Sequence, residues 1–181
     1  MPWVRRGAIG LLAAVLVIVA VAYLLPGQVT VTRRVEIAAP PAAVFPLVAD
    51  LRRIPEWSPW FASDPEIEVT FTGPIEGVGQ TIEWKSALPN IGSGRQTVTR
   101  IEPDAVVEME VAFGPAGAAS AWLGLDGEGA TTTVTWGFRT DLASDPLSRY
   151  LGLLIDGVVG PDFEAGLGRL KALAEAAPGP G

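Results

Sequence analysis

The stretch DPLSRYLGLLIDGVVGPDFEAGLGRLKALAE, residues 145–175, decides the fold, because it predicts one long helix near the carboxyl end of the chain. Asp145 is a typical helix cap, and Pro146 takes the first helical position, where proline is favoured. Gly160-Pro161 predicts a kink or brief break. Apolar residues recur at steps of three and four, as in an amphipathic helix: Leu147, Tyr150, Leu151, Leu154, Ile155, Val158, Phe163, Leu167, Leu170 and Leu173.

Seven segments before this helix alternate apolar and polar residues, which is typical of β-strands. The predicted strands cover residues 29–37, 66–71, 78–85, 95–101, 107–113, 121–125 and 131–138. Two short helices are predicted between the first two strands, one at residues 40–48 and one within residues 50–60 that is interrupted by Pro55 and ends before Pro59. This order predicts an α+β fold in which a curved antiparallel sheet of about seven strands wraps on the C-terminal helix.

Residues 7–25, GAIGLLAAVLVIVAVAYLL, contain no charge and follow a short basic tail at residues 1–6. As a helix they would extend roughly 28 Å, against a hydrocarbon core of about 30 Å. The stretch has no polar face, which disfavours a buried helix of a soluble domain. The sequence therefore predicts one transmembrane helix. A cleaved signal peptide is the alternative, because Ala20-Val21-Ala22 resembles a cleavage site.

The orientation of this helix is predicted from the basic residues around it. Arg5 and Arg6 lie on a tail that need not be translocated, which favours a single-pass membrane protein with its domain outside the cytoplasm. Arg33 and Arg34 follow the span and leave the cytoplasmic orientation open. Pro26-Gly27 ends the span, so we expect one domain over residues 27–175 and a flexible tail over residues 176–181.

The composition excludes several kinds of chemistry. The 181 residues include no His and no Cys, which removes disulfides, thiolate metal sites, Cys nucleophiles and His general bases. With 13 basic against 20 acidic residues the formal charge is −7, and an acidic chain is poorly suited to bind nucleic acid. No metal site and no cofactor are predicted. Hydrophobic residues make up 49%, enough for a packed core.

Several short motifs occur in a suggestive order. Residues 35–40 read VEIAAP and lead to Val44-Phe45; further motifs are Asp50-Leu51, WSPW at 57–60, Gly73-Pro74 with GVG at 77–79, and GLGRLK at 166–171. In this order the chain resembles the SRPBCC superfamily, also called START-like or helix-grip, in particular its polyketide cyclase/dehydrase-type members. The resemblance covers nearly all of residues 28–175. It implies a hydrophobic cavity between sheet and helix that holds a lipid-like or polyketide-like molecule.

Eight residues are the candidates for lining that cavity. Trp57 and Trp60 would flank its mouth or plug the open end of the sheet as core. The aromatic residues on the apolar phase of their strands would face the helix, and the helix would contribute part of its apolar stripe. The full set of ligand-binding candidates is Trp57, Trp60, Phe71, Trp84, Trp136, Phe138, Leu154 and Val158.

No catalytic residue is assigned, because no recognisable acid–base pair occurs. Glu56 beside Trp57 is either a buried acid with a raised pKa, as acid–base chemistry requires, or an exposed helix residue. Glu83 and Lys85 share an outward face and are expected to make solvated ion pairs. Trp122 falls out of phase with its strand, which indicates an exposed aromatic or a bulge.

Three functions remain open at this stage. The first is a membrane-anchored domain that binds a hydrophobic small molecule in its cavity. The second is a polyketide cyclase/dehydrase-like enzyme in which an enclosed pocket orients a reactive chain. The third is a domain with a filled core that binds a protein partner at the membrane. A continuous cavity distinguishes the first two from the third, and polar side chains converging inside it would favour the enzyme.

Overall fold

The computed structural model describes residues 2–114, 117–127, 129–142 and 145–176. A 3-10 turn at Leu51–Arg53 separates the second and third helices. The helices are α1 Pro2–Ala22, α2 Pro41–Ala49, α3 Ile54–Trp57, α4 Pro59–Ser63 and α5 Pro146–Ala176. The strands are β1 Gln28–Ile37, β2 Glu68–Thr72, β3 Thr81–Lys85, β4 Ser93–Glu102, β5 Val106–Ala112, β6 Ala118–Asp126 and β7 Thr132–Asp141.

The seven strands form one antiparallel sheet in the order β1-β7-β6-β5-β4-β3-β2. The first strand pairs with the last, with Val31 opposite Phe138 and Val35 opposite Val134. In β4 the register against β5 shifts between Val98 and Arg100, a bulge that bends the strand and increases its twist. The predicted α+β fold, with a curved antiparallel sheet of seven strands and a long C-terminal helix, is confirmed. The sequence Gly127-Glu128-Gly129 between β6 and β7 predicts a turn, but position 128 lies outside the described residues.

Helix α5 packs mainly on β1 and runs as one helix for 31 residues, so of the kink or brief break predicted at Gly160-Pro161 the break is wrong. A proline inside a helix removes one hydrogen bond to the carbonyl four residues earlier. That carbonyl belongs to Gly157, an exposed residue, so water can satisfy it. Farther along, Phe163, Leu167 and Leu170 are buried against the sheet and close the core.

Arg33, the residue that interrupts the alternation of β1, ties this strand to α5. It points toward the helix and pairs with Asp156 at 2.9 Å and Glu164 at 2.8 Å. Gly160 lies between these two carboxylates along α5, and a Cβ added there would lie 2.0 Å from the Arg33 Nη2 atom. The absence of a side chain at position 160 therefore lets the guanidinium lie against the helix.

Helix α1 corrects the predicted transmembrane segment. None of the helices in the described ranges is long and apolar enough to cross a membrane. The helix ends at Ala22, and the amides of Leu24 and Leu25 make turn hydrogen bonds to Val21 and Ala22. Its uncharged part thus covers residues 7–22, about 24 Å at about 1.5 Å per residue, where a span needs about 30 Å. The prediction of a transmembrane helix over residues 7–25 is not supported.

Candidate functional site

A cavity of about 250 Å³ lies between the sheet, α5 and the short helices α3 and α4. Eight of its lining residues are aromatic and ten are aliphatic or Met. The aromatic residues are Trp57, Trp60, Phe61, Trp84, Phe113, Trp136, Phe138 and Phe163. The others are Ile54, Ile67, Ile82, Ile91, Met109, Val111, Ala121, Leu123, Val158 and Val159. Such a lining favours an apolar, unsaturated ligand.

Trp136 of β7 is the centre of the aromatic wall. Its ring stacks on Phe163 of α5 with 4.1 Å between centroids and an angle of 3°. Trp57 and Trp60 meet it edge-on at 5.1 and 5.7 Å. This arrangement needs Gly166 on α5, because a Cβ there would lie 2.7 Å from Trp136 Cζ3. The predicted WSPW motif therefore joins the short helices to the sheet and to α5 through one aromatic cluster.

Trp57 and Trp60 occupy different parts of that cluster. Trp57 is buried, and its indole N–H donates to the Leu47 carbonyl at 3.0 Å, which fixes it as a core residue that also lines the cavity. Trp60 is half-buried and its indole N–H donates to Asp162 at 3.1 Å. The sequence left open whether these rings flank the cavity or plug the sheet. Trp57 does both, and Trp60 lines the cavity beside α5.

Three polar side chains line the cavity: Asn90, Gln96 and Asp162. The Gln96 amide contacts the Met109 sulfur at 2.7 Å, and that sulfur is its only hydrogen-bonding contact among the described residues. A thioether is a weak acceptor, so the amide keeps its capacity to bind a ligand. One Asp162 oxygen accepts the Trp60 bond, which leaves the other carboxylate oxygen available.

Sequence reasoning missed Gln96 and Asp162, although both carry a signal. Gln96 is a polar residue two positions before the buried Val98, so it lies on the inward phase of β4. Asp162 follows Val158 by four residues, which places it on the same side of α5. Polar residues at inward positions are the pattern that would have indicated them.

Six of the eight predicted cavity residues line the cavity, and two do not. Those in its wall are Trp57, Trp60, Trp84, Trp136, Phe138 and Val158. Trp84 turns inward because Gly94 on the neighbouring strand has no side chain; a Cβ there would lie 2.4 Å from Trp84 Cζ2. A role of these residues in binding a ligand stays a prediction.

Phe71 and Leu154 lie outside the cavity. Phe71 is on β2, the strand at the far edge of the sheet from β1, and the Arg52 guanidinium lies 6.0 Å from its ring centroid. Helix α5 packs at the opposite edge and leaves Phe71 partly exposed. The first half of α5 is apolar on two sides. The side with Ile155 and Val159 faces the core, and the side with Leu154 is exposed. Helical spacing alone does not say which apolar side meets the sheet.

Glu56 is not a buried acid. It is exposed on α3 and accepts two hydrogen bonds from the Arg53 guanidinium, at 2.8 and 2.7 Å, which lower the pKa of this carboxyl. The neighbouring Ser58 is buried and its hydroxyl has no partner among the described residues, but it does not line the cavity. Within the same residues no group of three or more metal-ligating side chains occurs.

Trp122, the aromatic residue out of phase with the apolar positions of its strand, covers the outer face of the sheet. Its ring lies over Gly137, where an added Cβ would be 2.0 Å from Trp122 Cε2, and Arg139 stacks at 5.7 Å from the ring centroid. The register of β6 is continuous on both sides, so no bulge accounts for its phase. Glu83 pairs across strands with Arg95 and Lys85 with Glu68, both at 3.9 Å on the exposed face.

We expect stability to fall in acid rather than near neutrality. Hydrogen bonds lower the pKa of Glu56, Asp145, Asp156 and Glu175, from partners Arg53, Ser148, Arg33 and the Ala38 amide respectively. Because these pKa values are lower in the folded state, the unfolded chain binds protons more readily. The stabilisation that these four carboxylates contribute is therefore complete above their ordinary pKa values, 3.8 for Asp and 4.5 for Glu. It is lost as the pH falls through the lower pKa values of the folded state.

Thermal melts followed by circular dichroism check this. The midpoint should change little between pH 8 and 6, because the chain has no His, and should drop below about pH 4.5. A midpoint that rises on acidification through pH 4 would contradict the assigned carboxyl pairs.

The family described as "Polyketide cyclase / dehydrase and lipid transport" matches residues 28–175. The chain belongs to this family. No curated protein matches its sequence. The match begins at the first residue of β1 and ends near the end of α5, so it covers the whole sheet and the helix that encloses the cavity.

Solved structures share the fold at low identity. The di-domain ARO/CYC StfQ from the steffimycin biosynthetic pathway is 12% identical with a TM-score of 0.64, over 82% of this chain and 51% of that one. The di-domain ARO/CYC BexL from the BE-7585A biosynthetic pathway is 16% identical with a TM-score of 0.62, over 98% and 61%. The Aha1 dimer from Colwellia psychrerythraea is 18% identical with a TM-score of 0.55, over 83% and 99%.

Proposed function

We propose that this domain binds an apolar, unsaturated small molecule, lipid-like or polyketide-like, between its sheet and α5. The observation that carries the proposal is the cavity of about 250 Å³ with eight aromatic side chains in its wall. Its volume lies just below the roughly 300–1,000 Å³ common for ligand sites, and its wall reaches the surface at Trp60, Phe61 and Val158, so part of a longer ligand can lie outside it. The same cavity argues against a filled core that serves only to bind another protein.

The test is uptake of a fluorescent probe by the full chain in mild detergent. A dansyl-labelled fatty acid bound beside Trp60, Trp84 and Trp136 should accept energy from these residues, so excitation of tryptophan should give saturable dansyl emission. Native mass spectrometry of the purified chain, before and after denaturing organic extraction, would reveal a co-purified molecule of a few hundred daltons. No probe uptake together with a clean unliganded mass would contradict the proposal.

The polar groups of the cavity supply selectivity. Gln96→Leu should weaken binding of 2-naphthol about fivefold, because a net hydrogen bond contributes about 1 kcal/mol, and should leave naphthalene within about twofold. Competition with the dansyl probe measures both affinities. Gln28→Leu is the matched control, since Gln28 is exposed at the outer edge of β1. Equal loss for both ligands would show that Gln96 supports packing only.

A cyclase-type enzyme is the second candidate, and one observation favours it. Asp162 places a carboxylate in an apolar wall, where it can accept a proton from an acidic C–H or O–H of a bound chain. Incubation with a linear poly-β-keto thioester should then give a ring-closed product by mass spectrometry. Asp162→Asn should abolish that product while dansyl-probe binding persists. Absence of product with the unaltered chain would leave the binding function alone.

We also propose that α1 attaches the domain to a membrane. Apolar side chains are exposed around its circumference, among them Ile9, Leu12, Leu16 and Ile18, and an aqueous setting leaves them uncovered. The full chain should float with phosphatidylcholine vesicles, and removal of residues 2–22 should abolish flotation. Extraction at alkaline pH distinguishes surface attachment from insertion. Location of the domain outside the cytoplasm stays a prediction, which protease treatment of intact cells would test.

A further inference from the structure

The first half of α5 presents an uncovered apolar face, which we call the α5 apolar face. Leu147, Leu151, Leu154 and Val158 are 66%, 53%, 62% and 69% exposed. Their spacing of four, three and four residues places them on one side of the helix. Four large aliphatic side chains in one row exceed the scattered exposure that is ordinary on a protein surface.

One end of this face meets α1. Tyr150 precedes Leu151 in the chain. Its hydroxyl donates to the Ile18 carbonyl of α1 at 2.8 Å. Arg149 donates to the Leu25 carbonyl at 2.7 Å and lies 5.5 Å from the Tyr23 ring centroid. These bonds hold the start of α5 against the end of α1. The exposed side chains of the two helices are therefore neighbours.

The other end of the face meets the cavity. Val158 is the last member of the face and also lines the cavity, together with Trp60 and Phe61 of α4. Both aromatic residues are half-buried, so they lie at the boundary between the cavity and the surface. An apolar path thus leads from α1 along α5 to the ligand site.

We propose that the α5 apolar face lies on a lipid bilayer and that the cavity exchanges its ligand directly with the acyl chains. This rests on the function proposed above, since it assigns the bilayer as the source of the bound molecule. Exchange within an apolar phase avoids transfer of the ligand through water, which is the costly step for such a molecule.

The charges around the face fit a lipid partner. Asp156 of α5 lies on the opposite side of the helix from the face. Both Asp156 and Glu164 form ion pairs with Arg33. Asp162 accepts a hydrogen bond from the Trp60 indole. Acyl chains that cover residues 147–158 on the side of this face therefore bury no charged side chain of α5, and Asp162 lies beyond Val158 at the cavity.

The form of α1 favours lipid over a protein. A protein partner covers one side of a helix, whereas residues 9–18 of α1 expose large apolar side chains around its whole circumference. Acyl chains can cover these exposed side chains and continue onto the adjacent face of α5.

The test compares two double variants of the full chain reconstituted with phosphatidylcholine vesicles. Leu151→Lys with Leu154→Lys places charges on the face without altering the cavity wall. The control, Ile75→Lys with Val78→Lys, changes two exposed aliphatic residues in the loop before β3. Loading of the dansyl-labelled fatty acid from the vesicles is followed by energy transfer from tryptophan, and binding in detergent is measured in parallel.

The α5 variant should load at least about tenfold more slowly from vesicles while its affinity in detergent stays within about twofold of the original, and the control should change neither. Equal loading rates for all three proteins would overturn the inference and leave the binding function intact. Absence of binding in detergent would refute the binding function itself, and the inference with it.

A second measurement does not depend on the folding of the charged variant. Because the chain has no Cys, Leu154→Cys and Val78→Cys each give a single labelling site. A nitrobenzoxadiazole label at position 154 should shift to the blue on vesicles and be quenched by spin-labelled lipid, whereas the label at position 78 should not. No quenching at 154, or a disulfide between two copies there, would assign the face to water or to self-association and overturn the proposal.

Discussion

Replacement of Ala121 by phenylalanine is expected to abolish ligand uptake while the domain stays folded. Ala121 is a small residue of β6 whose side chain is buried in the cavity wall, opposite Met109 on β5 and Phe138 on β7. A benzyl side chain there would take up much of the space of about 250 Å³ that we assign to the ligand. The affinity for the dansyl-labelled fatty acid should fall about 100-fold or more, since the ring and the ligand compete for one volume.

The matched control is Ser120→Phe, which adds the same ring one residue earlier on the opposite, exposed face of β6. It should bind the probe as the original chain does. The thermal midpoint of Ala121→Phe should stay within a few degrees of the original, because an empty cavity accepts the ring with little strain. Full probe affinity in a folded Ala121→Phe protein would place the ligand elsewhere and overturn the proposed site.

Truncation of Trp136 to alanine should give the largest loss of stability. This ring stacks on Phe163, meets Trp57 and Trp60 edge-on, and packs against Gly166, so it links the sheet, the short helices and α5. Removing a buried aromatic side chain costs about 3–5 kcal/mol, and the cost is greatest where the surroundings cannot close on the space. We expect the free energy of unfolding to fall by about that amount.

Denaturation by urea, followed by circular dichroism in mild detergent, measures this change. Trp122→Ala is the control, since Trp122 is a half-buried tryptophan on the outer face of the same sheet. It should cost less, about 1–2 kcal/mol, because water can replace part of its contacts. If Trp136→Ala were no more destabilising than Trp122→Ala, the aromatic cluster would not be the element that holds α5 on the sheet.

Much of the fold was predictable because period and order are local properties of a chain. Alternation over residues 29–37 and 131–138 identified β1 and β7, and the helical spacing after Pro146 identified α5. The break predicted at Gly160-Pro161 failed because a single proline removes one hydrogen bond, whereas the packing of Phe163, Leu167 and Leu170 holds the helix together. The predicted end of the N-terminal helix at Leu25 was wrong for a related reason. The chain turns after Ala22, where Tyr23 and the Leu25 carbonyl contact Arg149 of α5.

The candidate site was predictable in its aromatic residues and not in its polar ones. Trp84, Trp136 and Phe138 lie on apolar phases, and the strand period places them on the side of the sheet that faces α5. Gln96 and Asp162 occupy inward positions of their own elements, but the sequence alone does not show that β4 and α5 enclose one space. The sequence left open whether Glu56 is buried or exposed, and the structure shows it exposed and paired with Arg53.

By itself the sequence determined the α+β fold, the strands and the long helix, the absence of thiol and imidazole chemistry, and an apolar N-terminal helix. These follow from residue types and from spacing within one element. Tertiary structure alone decided which of the two apolar sides of α5 faces the sheet, that Phe71 lies beyond the helix, and that Gln96, Asp162 and the tryptophans share a cavity. Those outcomes depend on the crossing of elements distant in sequence, because burial and partners are set by what packs against a side chain, and that is not encoded in any single stretch.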